Sequence, residues 1–239
     1  PEDLQNFLKG LFGAGGYKAF LEVVGKGAPV GFRVNTLKAT DHQVLQLLQE
    51  EGFSAEAIEG IPHGYLVTHE PFPLGKSFSH FLGNIYIQDP SSMLPPLALE
   101  PQPGELVLDL AAAPGSKTTQ MAALMKNQGL IVANDPKVRR TTFLSFNLMR
   151  TGVVNAVVTV LPGNRLGRLY FETFDRVLLD PPCSALGTVK TAPEALRWWR
   201  RAEKLSRMQF DLMVSAIKAL RPGGVLVYST CTLTPEENE

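Results

Sequence analysis

Residues Leu106-Val107-Leu108-Asp109-Leu110-Ala111-Ala112-Ala113-Pro114-Gly115-Ser116-Lys117-Thr118-Thr119 run from apolar residues into a small-residue loop and on toward a helix. The first five residues read as a β-strand, and the turn that follows marks a strand-to-helix unit. Small side chains let a backbone approach a ligand closely, and Gly115 supplies conformational freedom that a Cβ would restrict. Taken alone, the loop fits an ordinary strand-to-helix turn as well as it fits a ligand cradle.

Downstream the rhythm repeats. Short β-like runs at Leu130 to Ala133, Ala156 to Val160, Arg176 to Asp180 and Val225 to Ser229 alternate with helical stretches. That alternation predicts an α/β fold with a doubly wound parallel sheet, in which ligands sit beyond the carboxyl ends of the strands. The last helix places Leu205, Met208, Leu212 and Ile217 on roughly one stripe, the face expected to cover the sheet.

Upstream the character changes. Val30 to Val34 and Gly64 to Val67 are strand-like, and Asp41 is read as the cap of a helix from Val44 to Glu50, which together predict a small α+β domain. Before it, Leu4, Phe7, Leu8 and Leu11 have helical spacing, and that helix is expected to stop at the Gly13 to Gly16 cluster. Prolines from Pro71 onward punctuate the approach to the second rhythm, placing a boundary near Gln88 and domains at 1–88 and 89–239.

The 239 residues suffice for one substantial core and a small accessory domain, and 23 basic residues balance 23 acidic ones. Affinity for a polyanion must therefore come from clustering and not from net charge. No apolar run approaches a membrane span, and Pro1-Glu2-Asp3 is no secretory leader, so a cytoplasmic, unanchored protein is expected. Two cysteines, Cys183 and Cys231, make a disulfide framework improbable at this size.

Asp135 closes the second strand of the parallel set and precedes a helix. It is placed to accept both hydroxyl hydrogens of a ribose, with helix capping as the competing account. The loop is neither Gly-x-Gly-x-x-Gly nor a Gly-x-x-x-x-Gly-Lys-Thr phosphate cradle, so an adenosine without a phosphate chain fits better. Arg140 would brace a cofactor or pair with a carboxylate on the surface.

The fourth and fifth strands run into Asp180-Pro181-Pro182-Cys183-Ser184 and Tyr228-Ser229-Thr230-Cys231-Thr232. A single cysteine is most often a small buried hydrophobe. Here both cysteines of the chain follow neighbouring strand ends on the ligand-binding rim, which favours chemistry. One reaction that demands a thiol there is methylation at carbon 5 of cytosine. That carbon is a weak nucleophile until a thiolate adds at carbon 6. Charge then building on the ring would be stabilised by an acid hydrogen-bonded at N3, for which Asp180 is placed if burial raises its pKa. A base must afterwards remove the C5 proton, and Cys183, or a water it holds, is the candidate.

These residues resemble the NOL1/NOP2/Sun family of RNA 5-methylcytosine methyltransferases. The resemblance runs from Arg33-Val34-Asn35-Thr36 through Ile87-Gln88-Asp89-Pro90-Ser91-Ser92-Met93 to Pro235-Glu236-Glu237-Asn238-Glu239. It implies a Rossmann-like catalytic domain dependent on S-adenosylmethionine, preceded by an RNA-recognition-like α+β domain, with rRNA or tRNA as substrate and no metal. By resemblance, the loop Ala111, Ala112, Ala113, Pro114, Gly115, Ser116 and Lys117 holds the cofactor, Asp135 its ribose, and Asp180 lies near the methyl group and the base. Cys231 matches the nucleophile and Cys183 the cysteine associated with product release. Arg33 and Lys38 are implied to hold flanking RNA.

Three departures stand out. Leu161-Pro162-Gly163-Asn164 lacks the aspartate that relatives place near the adenine, and Ala185 stands where glycine is common. Sheets of this type also continue past the Thr-Cys strand with a helix and two more strands, so the resemblance implies a piece of a longer chain with Val225 to Ser229 at the sheet edge.

Six basic residues (Lys190, Arg197, Arg200, Arg201, Lys204, Arg207) surround Trp198 and Trp199, a segment able to bind phosphates and stack a base. A solvated helix face explains the same residues. Two rival functions remain at this point. An amino-group methyltransferase would present Asn-Pro-Pro-aromatic and needs no thiol, whereas this chain has Asp180-Pro181-Pro182-Cys183. An RNA-binding assembly factor would keep the fold with little activity.

Overall fold

The computed structural model describes residues 2–25, 28–189 and 202–239. They separate into two compact units. One comprises Pro29–Pro181 and Asp211–Ser229, and the other the described residues of Pro1–Ala28, Pro182–Phe210 and Thr230–Glu239.

In the first unit, β1 (Gly31–Val34), α2 (Asp41–Glu50), β2 (Ser54–Ala57), β3 (Gly64–His69), α3 (Phe78–Phe81) and β4 (Ile85–Ile87) follow in chain order. The four strands form an antiparallel sheet of order β2-β3-β1-β4. Phe32, Val34, Val44, Leu48 and Phe53 build its core, packing α2 on the sheet. Thr40, not Asp41, caps α2: its hydroxyl accepts from the Gln43 amide while the Gln43 side chain reaches back to the Thr40 amide. Asp41 is the first helical residue, and its carboxylate is taken by His63 Nδ1 at 2.6 Å and the Tyr65 hydroxyl at 2.8 Å.

After α4 (Pro90–Leu99), capped by Asp89, the expected alternation follows: β5 (Leu106–Asp109), α5 (Ser116–Leu124), β6 (Leu130–Asn134), α6 (Val138–Thr151), β7 (Ala156–Thr159), α7 (Leu166–Leu169), β8 (Phe174–Leu179), α8 (Ala202–Ala219) and β9 (Leu220–Tyr228). The strands pair in parallel, in the order β7-β6-β5-β8-β9. Successive side chains of a strand point to opposite faces, and both faces here are covered. Val107, Ile131 and Leu178 pack with Leu99, Met121 and Met125 of α4 and α5 and the residue following it. Leu108, Val132 and Val177 pack with Leu166, Ala216 and Ala219 of α7 and α8. Ile217 is 60% exposed, so the sheet-facing stripe of α8 passes through Leu212, Ala216 and Ala219 instead. The strand order reverses between β5 and β8, the place where such sheets bind ligands.

The two sheets are joined by hydrogen bonds. Asn35 Nδ2 donates to the carbonyls of Gly83 at 2.8 Å and Thr151 at 2.7 Å, and Gln88 Nε2 reaches Gln120 Oε1 at 3.1 Å. Lys38 Nζ donates to the carbonyls of Leu82 and Arg150, so its ammonium is engaged in fastening α6 to the loop before β4.

In the second unit, α1 (Glu2–Gly25) does not end at the glycine cluster. It breaks at Gly13, with φ 69° and ψ 170°, and resumes. Leu4 and Leu8 are buried against Leu186 and Val189, with Tyr17, Phe20 and Val24 of its second half joining them. That apolar contact offsets the poor helix propensity of the glycines.

Candidate active site: a strand-end cleft and a thiol pair

At the carboxyl end of β5 the backbone turns through Ala111 to Pro114, with Ala112 N donating to the Asn134 carbonyl at 2.8 Å. Gly115 sits at φ 108°, a left-handed conformation at the start of α5, and a Cβ there would lie 2.9 Å from Leu144 Cδ1. Only glycine meets both conditions without strain. Asp109, Ala111, Ala112, Ala113, Pro114, Ser116, Lys117 and Asp180 line a small cleft here.

Asp135 follows β6 and is wholly buried, at 0% exposure. Its Oδ1 accepts the Lys137 amide at 3.0 Å. Arg140 Nη1 lies 2.9 Å from Oδ2, yet no hydrogen bond is made to that oxygen. The pairing is a charge contact and leaves an unused acceptor lone pair. Arg140 is thus paired with the buried carboxylate itself and not with a surface one, and it also donates to the Ala113 carbonyl, tying the loop to Asp135.

The surroundings of Asp180 differ from the apolar enclosure that a protonated acid requires. Its Oδ2 is 2.5 Å from the Lys117 ammonium, its Oδ1 accepts the Ser229 hydroxyl at 2.9 Å, and its side chain is 32% exposed. The buried acid in the cleft is Asp109 instead. Burial pushes it up to about 7, opposed by the hydrogen bond from Thr118 Oγ1 at 2.7 Å and by the charge of Lys117, with the Asp180 carboxylate adding to the rise. Asp109 lay in the quoted strand, and its signal was a lone acid ending an apolar run. Ser229 and the Lys117 pairing had no comparable signal.

Cys183 and Cys231 both lie in the second unit. Their sulfurs are 3.0 Å apart, within hydrogen-bonding distance. The Cys183 thiol is held below its ordinary range, first by the hydrogen bond from the Cys231 thiol and then by the backbone amides of Cys231 and Ala185, while burial and the Glu237 charge oppose this. Such a pair shares a proton, so thiolate is present at lower pH than in an isolated thiol.

A carboxylate that sequence reading passed over fastens the two cysteine loops. Glu237, buried at 3% exposure, accepts from the Ser184 amide at 3.0 Å, the Ser184 hydroxyl, Thr234 Oγ1 at 2.7 Å and Gln209 Nε2 at 2.8 Å. The residue after each cysteine completes the tie, through Ser184 Oγ and Thr232 Oγ1 at 2.6 Å. Gly187 N donates to the Cys231 carbonyl at 2.9 Å, and a Cβ on Gly187 would come equally close to that oxygen, so this approach requires glycine. Ala185 sits at φ 57°, in the left-handed region that favours glycine.

Of the basic segment, Lys204 and Arg207 are described and exposed. Lys190, Arg197, Trp198, Trp199, Arg200 and Arg201 lie outside the described residues.

A five-stranded parallel sheet with a small-residue loop after its first strand and a buried acid after its second defines the class of S-adenosylmethionine-dependent methyltransferases. Within it, the chain belongs to the family of 16S rRNA methyltransferases RsmB/F, whose model matches residues 96–239, while residues 1–90 match the N-terminal domain of 16S rRNA methyltransferase RsmF. A ribosomal RNA small subunit methyltransferase F from Shewanella amazonensis is 45% identical over 225 residues, covering 92% of this chain and 48% of its own length. A tRNA (cytosine(49)-C(5))-methyltransferase from Pyrococcus abyssi is 47% identical over 210 residues, covering 87% of this chain and 67% of the relative. The chain thus spans about half the length of several curated relatives it matches. Among solved structures, a methyltransferase homolog protein from Pyrococcus horikoshii aligns with a TM-score of 0.86 at 39% identity, over 96% of this chain and 73% of that one. NSun6 from the same organism, solved with SFG, aligns at 0.87 and 26% identity, over 99% and 84%. Among the described residues, no helix is long and apolar enough to cross a membrane.

Proposed function

We propose that this chain carries the catalytic centre of an RNA cytosine-5 methyltransferase acting on rRNA or tRNA in the cytoplasm. The observation that carries the reading is the hydrogen-bonded pair of thiols, each placed just after a strand end of a methyltransferase sheet. The names of the relatives support RNA as substrate.

S-adenosylmethionine supplies the methyl group. The orphan acceptor on Asp135 and the close-packed Gly115 turn fit its adenosine: Ala111 to Lys117 would cradle it, Asp135 would accept from the ribose, and Arg140 would brace that carboxylate. Cys231, its proton lost to water, attacks carbon 6 of an unstacked cytosine, so a C–S bond forms and electron density moves to carbon 5. The Lys117–Asp180 pair, open to the cleft, stabilises charge on the ring at N3, the ammonium supplying the proton that a neutral Asp180 would otherwise donate. After methyl transfer, Cys183 as thiolate takes the C5 proton, and the electrons of that C–H bond restore the ring double bond as the C–S bond breaks.

The two thiols act on opposite sides of the covalent intermediate, which gives a directional test on denaturing gels with RNA and S-adenosylmethionine. Cys183→Ala gives a retarded covalent RNA band because elimination is blocked, and Cys231→Ala gives none. The opposite pattern exchanges the roles. A band from neither variant, with an RNA that the unaltered protein methylates, removes the covalent mechanism.

A further inference from the structure

Apart from the cofactor cleft, a cavity of about 570 Å³ opens between β1 and α5. Arg33, Thr36, His63, Gln120 and Lys126 supply its polar wall, and aliphatic side chains such as Leu97 complete it. Arg33 is only 3% exposed, and its bonds go to neutral acceptors: Nε to Gln88 Oε1 at 3.3 Å and Nη2 to Thr119 Oγ1 at 3.1 Å. Among the described residues, its Nη1 makes no hydrogen bond and no carboxylate is ion-paired with it. Burial lowers Arg33 to about 10, so the guanidinium stays charged at neutral pH.

A buried charge without a counter-charge is costly and persists where something else compensates it. The nearby Asp41 carboxylate is occupied by His63 and Tyr65. Lys126, exposed at the end of α5, adds a second cation that no described carboxylate pairs. A tetrahedral oxyanion offers several acceptors to separate donors, and a guanidinium with an ammonium across a cavity is a chemical match for it. Among the described lining residues His63 supplies the only aromatic ring, and that ring is engaged by Asp41, so the cavity offers cations and not a stacking platform.

We propose that the Arg33–Lys126 cavity is a phosphate site, occupied in function by a backbone phosphodiester of the substrate RNA. The phosphate chemistry stands on the cavity alone, while the RNA source rests on the function proposed above. The site would anchor the strand at a point separate from the cofactor loop, fixing register without reading sequence.

The test is a titration of the isotopically labelled chain by NMR, first with inorganic phosphate at constant ionic strength and then with a single-stranded oligoribonucleotide. Phosphate is expected to shift the amides of Arg33, Thr36 and Lys126. Lys126→Ala, an exposed change that leaves the fold intact, weakens phosphate binding at least about threefold and lowers the log K versus log salt slope for RNA by about 0.7, the loss of one single-strand phosphate contact. Absence of phosphate shifts at these amides overturns the site. Phosphate shifts that RNA neither reproduces nor competes away overturn the RNA source and point to a free phosphorylated compound. Both ligands binding here without methyl transfer to any RNA supports the site and counts against the proposed function instead.

Discussion

Replacing Glu237 by glutamine removes the charge that holds the two cysteine loops while keeping the shape of the side chain. Four donor groups converge on this carboxylate: the amide and hydroxyl of Ser184, the Thr234 hydroxyl and the Gln209 amide. Hydrogen bonds to a charged group contribute about 1.5 to 3 kcal/mol each, and a buried donor left unsatisfied costs about 1 to 3 kcal/mol. In glutamine one oxygen becomes an NH₂, so roughly two of the four bonds are lost or turned repulsive. Relief of the burial cost of the carboxylate offsets part of this, leaving a net destabilisation of about 2 to 4 kcal/mol. Unfolding in urea measures it. A second readout separates positioning from bulk stability. The Glu237 charge opposes thiolate formation at Cys183, so its removal moves the alkylation profile of that thiol to lower pH provided the loops hold their places. Serine 184 is the natural control: Ser184→Ala loosens the same tie but keeps the charge, and lacks that direct electrostatic shift. An unchanged urea midpoint together with an unmoved alkylation profile would refute the assignment of Glu237 as the tie between the loops.

Asp109→Asn tests the buried acid of the cleft. Because burial raises the folded-state pKa to about 7, the native state binds more protons than the unfolded state between about pH 4 and 7, so stability from this group is lost as pH rises through that window. The variant should gain on the parent between pH 5 and pH 8, and a pH-independent difference in unfolding free energy would argue against it. Ala185→Gly relieves a left-handed alanine and should raise stability by about 0.5 to 1 kcal/mol, seen as a higher melting temperature; a lower one would show that the alanine packing matters more. Asp135→Ala should weaken S-adenosylmethionine binding by about 1 to 3 kcal/mol by calorimetry, and equal affinity would remove Asp135 from the ribose site.

The alternation of short apolar runs with helical stretches determined the parallel sheet by itself, because strand and helix periods are local properties of the chain. Loop chemistry is also local, so Gly115 was legible as a turn from the chain alone, and the acid after β6 as a candidate ribose ligand. The errors were at this scale too: Thr40 took the cap assigned to Asp41 because its hydroxyl joins Gln43 in a reciprocal pair, and apolar packing carried α1 past Gly13. What only tertiary structure decided lies in pairs distant along the chain. Lys117 and Asp180 are 63 residues apart, the two thiols 48, and Ser184 and Glu237 53. No periodicity reports which charges face one another across such intervals. The expected neutral Asp180 therefore became an ion pair, the perturbed acid proved to be Asp109, and Arg33, which resemblance alone had linked to RNA, emerged as a buried cation facing a cavity. Burial and counter-charge together set these chemistries, and both depend on neighbours that folding alone brings within a few ångströms.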